Sequence, residues 1–159
     1  MLAQFLLTVL YTQITVAIPG APAGGLLWTN DHVAQGFAWS QGFVSFGVPD
    51  HDGQVRVTVE RSKVFHPDAG TLWAVQTPLD VGASPVEIGT IGDERSVAVP
   101  VGRYNLVFEA RAPGPMSDAD IAYDLRLHFL ETPTPSFAIL KQGGELETDR
   151  VLSAVADPA

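Results

Sequence analysis

Asp120-Ile121-Ala122-Tyr123-Asp124-Leu125-Arg126-Leu127-His128-Phe129 decides the fold. Ile121, Tyr123, Leu125, Leu127 and Phe129 recur at a spacing of two, and Asp120, Asp124, Arg126 and His128 fall between them. A helix would need apolar residues every three or four positions, whereas a strand with one buried face needs this alternation. A second stretch repeats the pattern. In 103–111, Tyr104, Leu106, Phe108 and Ala110 share one face, which puts Glu109 on the other.

Working outward, Val55, Val57 and Val59 alternate with Arg56, Thr58 and Glu60. Further strands are expected at 13–18, 72–76, 86–91 and 95–99. Phe37, Trp39, Val44 and Phe46 around Gly42 read as two short strands or one bulged strand, and Asp50-His51-Asp52-Gly53 reads as a turn. One short helix fits 29–35: Thr29 caps the free N–H groups, Asp31 suits the positive helix start, and Gly36 provides a left-handed exit.

Fifteen glycines and twelve prolines are spread along the 159 residues. Only 1–18, 54–66, 116–132 and 145–157 exceed twelve residues without one, so an all-helical protein has no room to form. The expectation is all-β: a single-domain antiparallel β-sandwich over residues 1–159 with one short helix, and an end that frays after Asp149. A chain of this length can bury a core without a disulfide or metal, which suits a sequence lacking cysteine.

The first charged side chain is Asp31. Met1 to Leu7 has the apolarity of a signal peptide but not its basic start, and Thr8, Thr12, Gln13 and Thr15 interrupt the run. A membrane helix would need about 18 or more apolar residues in succession, so no membrane span is expected.

Nine Lys and Arg against eighteen Asp and Glu give a net charge of −9. Direct nucleic acid binding needs cations to displace counterions, so this balance argues against it and favours a basic partner. His32, His51, His66 and His128 show no helical metal-pair spacing, and no nucleophile elbow or phosphate-cradling glycine loop occurs. His51 between two aspartates fits a metal ligand or plain turn chemistry. No catalytic residue, cofactor or metal site is expected. Two features suit recognition. Asp118, Asp120 and Asp124, with Glu109 beside them, make either a solvated sheet face or a negative patch for a cationic partner. Trp28 and Trp39 make either core or an aromatic platform for a small ligand such as a carbohydrate.

Four blocks then stand in a telling order. Tyr11-x-Gln13-x-Thr15-Val16 comes first. Trp28-Thr29, Gly36-Phe37-Ala38 and Gly42-x-x-Ser45-Phe46 follow. Pro100-x-Gly102-x-Tyr104-x-Leu106 is third, and Met116-Ser117-Asp118 leads into the alternating strand. Over about residues 9–130 this order resembles the competence protein J family of DNA-entry nuclease inhibitors. The resemblance implies a non-enzymatic inhibitor that binds a nuclease and blocks it, and makes Tyr11 to Ala17 a strand of the mature protein. A nuclease must attract phosphate, so carboxylates can occupy the same basic cleft. The expected location is the cytoplasm, or a membrane reached through the partner. Residues 131–159, with Pro133, Pro135, Glu145, Glu147 and Asp149, extend past the resemblance.

Overall fold

The computed structural model describes residues 1–20, 25–51, 53–90, 92–114 and 120–159. Asp52 of the expected turn, Ile91 at the end of the expected 86–91 strand, and Met116-Ser117-Asp118 lie outside them. Within them run β1 (Ala3–Leu7), β2 (Gln13–Ala17), α1 (Asn30–Gln35), β3 (Phe37–Ser40), β4 (Phe43–Gly47) and β5 (Gln54–Arg61). They are followed by β6 (Thr71–Val81), β7 (Val86–Thr90), β8 (Asp93–Val97), β9 (Gly102–Arg111), β10 (Ile121–Glu131) and β11 (Ala138–Lys141). One sheet has the order β1-β5-β10-β9-β6-β11 and the other β3-β4-β2-β7-β8.

The period-two stretches behave as their patterns dictate. Tyr104, Leu106, Phe108, Leu125, Leu127 and Phe129 are all fully buried between the sheets. Each such side chain contributes about 1.5–3 kcal/mol relative to exposure. Phe46 stacks on Phe108 across the layers, with centroids 4.9 Å apart, and Tyr104 meets Phe129 edge-on. The helix starts at Thr29, whose side chain accepts from His32 N, and ends at Gly36 with φ 80. There a Cβ would also strike the Leu146 side chain.

The sandwich is not purely antiparallel. β10 runs parallel to β5, pairing Leu125 with Val57 and Leu127 with Val59. Alternation fixes which face of a strand is buried but not the direction of its neighbour. The chain between β5 and β10 is long enough for the crossover that parallel pairing needs.

Two strands carried no clear signal. β1 pairs antiparallel with β5 and buries Leu7, so the apolar start of the chain serves as an edge strand here. β11 pairs with β6, and Phe137 just before it packs on Phe37 and Trp39 of β3, closing one side of the sandwich. The opposite side is closed by Arg95 of β8, whose guanidinium lies 5.5 Å from the Phe5 ring centre. An inward-leaning charge on an edge strand also discourages further strand addition.

The end of the chain is docked, contrary to the expected fraying after Asp149. Ala156 N donates to Trp39 O, Leu27 N donates to Asp157 O, and Leu26 bridges Pro158. Gln35, fully buried, donates to Ser153 O and accepts from Leu152 N and Ser153 N. Without the tail, that buried amide would lose most of its partners.

Candidate functional site

The expected acidic patch separates into unlike parts. Asp120 is exposed and its carbonyl accepts from Gln54 N. Asp124 faces outward on β10 but lies 3.3 Å from Arg56 on parallel β5, and its side chain keeps only 15% of its surface. Asp118 is outside the described residues.

Glu109 corrects the expectation of a solvated carboxylate: it is 2% exposed. Its strand face does point away from the core, but the connection from β5 to β6 lies over it. Phe65 of that connection packs on His128, and Asp68 pairs with Arg111 at 2.9 Å. Beneath it, Glu109 accepts from Thr71 Oγ1 at 2.6 Å, Arg111 Nη1 at 2.9 Å and His128 Nε2 at 3.1 Å. Glu60 approaches His128 Nδ1 from the other side at 3.5 Å. Burial alone would push the Glu109 carboxyl up. Hydrogen bonds from His128, Thr71 and Arg111, with the Arg111 charge, outweigh it and hold the group at about 2. This network is a structural clasp, because its charges are spent on one another.

The tryptophans do not form an exposed platform. Trp39 is half-buried, donates from Nε1 to Pro78 O at 2.8 Å, and stands edge-on to Phe137. Trp73 is buried. Trp28 is half-buried, and its Nε1 is enclosed with no hydrogen-bond partner among the described residues. Trp28 and Trp39 line different hollows. His51 bonds through Nδ1 with Pro49 O and lies against Tyr123, which is turn chemistry. Among the described residues, no group of three or more His, Cys, Asp or Glu is placed to hold a metal.

Among the described residues, one hollow gathers positions of which the sequence reading names only Trp28 as a candidate site residue. A groove of about 570 Å³ lies on the outer face of the five-stranded sheet. Gln13 and Thr15 of β2 and Ser45 of β4 line it, joined by Tyr11, Trp28 and Glu87. Ser45 Oγ donates to Gln13 Oε1 at 2.8 Å, tying neighbouring strands across the groove. The available signal was the solvent-side half of the strands in the first two sequence blocks: alternation turns Gln13, Thr15 and Ser45 away from Ile14, Val16, Val44 and Phe46, whereas Tyr11 and Trp28 lie outside any strand.

The sequence model of the competence protein J (ComJ) family matches residues 6–130, from within β1 to within β10. The chain belongs to that family. No curated protein matches it in sequence. Its fold is similar to the crystal structure of ComJ, inhibitor of the DNA degrading activity of NucA, from Bacillus subtilis. The two have a TM-score of 0.65 at 21% identity, over 82% of this chain and 96% of the other. The family match takes in strands of both sheets and every residue that lines the groove from β2, β4, β7 and β8. Residues after 130, which include β11 and the docked tail, lie beyond it.

Proposed function

We propose that this protein is a non-enzymatic inhibitor that binds a DNA-degrading nuclease and blocks it. Membership of the competence protein J family over residues 6–130 carries the proposal. The similarly folded Bacillus subtilis protein, described as an inhibitor of the DNA degrading activity of NucA, supports it. The net charge of −9 fits the chemistry. A nuclease needs a basic, phosphate-attracting cleft, and an acidic protein is steered toward that cleft while being repelled by DNA itself. Asp120, exposed just before β10, is the described carboxylate of the first acidic patch that adds to this long-range steering. Asp124 is engaged with Arg56 and Glu109 with its clasp, so both act within the fold. Among the described residues, no helix is long and apolar enough to cross a membrane.

The test is to mix the purified chain with the DNA-degrading nuclease of its own organism and, separately, with NucA. DNA cleavage and complex formation are then followed. Stoichiometric loss of cleavage, with no cleavage by the chain alone, is the expected result. Full activity of both nucleases in its presence would refute the proposal.

A further inference from the structure

The turn beside the groove on the five-stranded sheet is built at a cost. Tyr11 and Thr12 are the two non-glycine residues with positive φ among the described residues, at 59 and 53. Side chains crowd their own backbone in this left-handed conformation, so it persists only where surroundings enforce it. Here Leu10 N donates to Thr90 Oγ1, the same hydroxyl donates back to Leu10 O, and Val48 N donates to Thr12 O. What this anchored turn holds up is the Tyr11 ring, 76% exposed at the groove's edge. A large aromatic ring kept in solvent by a fixed backbone is preorganised for contact, since little freedom remains to be lost on binding.

Charge selects the occupant. The charged side chains lining the groove are Glu87 and Glu94, both exposed; no Lys or Arg lines it among the described residues. Aromatic faces beside unpaired-sign carboxylates suit a guanidinium or ammonium group, which can lie on the ring and pair with the acid. A volume of about 570 Å³ admits a few side chains, not a whole domain.

We infer that this groove is where the inhibitor grips its nuclease, by receiving an Arg- or Lys-bearing surface segment against Tyr11, Glu87 and Glu94. The inference rests on the inhibitor function proposed above and adds the surface that performs it. It differs from the β10 face, because the grip lies on the opposite sheet.

The experiment uses the full chain and whichever nuclease the wild type inhibits. Tyr11→Asn removes the ring but keeps a residue that tolerates the left-handed backbone. Glu87→Gln with Glu94→Gln removes the charge, and Glu131→Gln on the six-stranded sheet is the control for charge loss elsewhere. Thermal melts verify that each variant folds. Tyr11→Asn is expected to weaken binding about tenfold or more. The double Gln variant is expected to slow association several-fold and flatten its salt dependence, with the control within about twofold of wild type. Wild-type affinity and association in both groove variants would overturn the inference while leaving the inhibitor function intact. A wild type that binds neither nuclease would remove both together. A photoreactive benzoyl-phenylalanine at position 11 provides an independent readout. Crosslinks to a Lys- or Arg-bearing nuclease peptide support the grip, and crosslinks from position 120 with none from position 11 refute it.

Discussion

Glu109 on β9 accepts a hydrogen bond from His128 on β10 at 3.1 Å, although strand alternation directs both side chains away from the core. They sit diagonally across neighbouring strands and are sealed in by the connection carrying Phe65 and Asp68. Buried charges persist only when paired and hydrogen-bonded, and Glu109 has three donors.

This clasp predicts acid sensitivity. The Glu109 carboxyl is held at about 2 against an ordinary 4.5. Because the folded value lies below the unfolded one, its stabilisation is complete above about pH 4.5 and is lost as pH falls toward 2. The expected loss is about 3 kcal/mol. Urea melts from pH 6 to pH 2 should show it, and Glu109→Gln should flatten that limb. An unchanged slope in the variant would assign the acid sensitivity to other carboxylates.

The helix start predicts a modest, local cost. Thr29 N donates to His32 Nδ1 at 3.0 Å while Thr29 Oγ1 accepts from His32 N, so a histidine completes the capping box. Accepting at Nδ1 places the proton on Nε2, which faces Val155 O at 3.4 Å. Thr29→Ala should cost about 1 kcal/mol, or roughly 2–4 °C in melting temperature. Loss of more than about twice that would mean the cap also holds the tail.

At Tyr11, glycine should be the better residue for stability and the worse one for binding. With φ at 59 and the ring 76% exposed, Tyr11→Gly relieves backbone crowding and removes little packing. Relief exceeds the added freedom of the unfolded chain, so a gain of up to about 1 kcal/mol is expected by chemical denaturation. Marked destabilisation would show instead that the ring supports the turn.

Truncation after Asp149 should destabilise the whole domain. It removes the partners that Gln35 finds in Leu152 and Ser153 and the Ala156 bond to Trp39 O. At about 1 kcal/mol for each net hydrogen bond, a loss of roughly 3–4 kcal/mol is expected. Hydrogen exchange offers a second check, since the Ala156 amide should be protected in the full chain. Coil-like exchange at that amide would contradict the docking.

Sequence alone determined the elements whose reasons are local. The alternation of 103–111 and 121–129, the Thr29 and Gly36 ends of the helix, and the turns at Gly and Pro follow from side-chain period and backbone freedom within a few residues. The acidic balance, and with it the aversion to phosphate, is likewise a property of composition. Tertiary structure decided everything that depends on a distant partner. β1 and β11 are too short and weakly patterned to declare themselves, and they become strands because β5 and β6 offer open edges. The parallel pairing of β10 with β5 brought Arg56 to Asp124, and the 62–70 connection buried Glu109, so two apparent surface carboxylates became structural. The groove formed the same way: Tyr11, Trp28, Ser45 and Glu87 are far apart in the chain and line one hollow, because the pairing of β2 with β4 and β7 sets its floor and the segments flanking those strands set its rim.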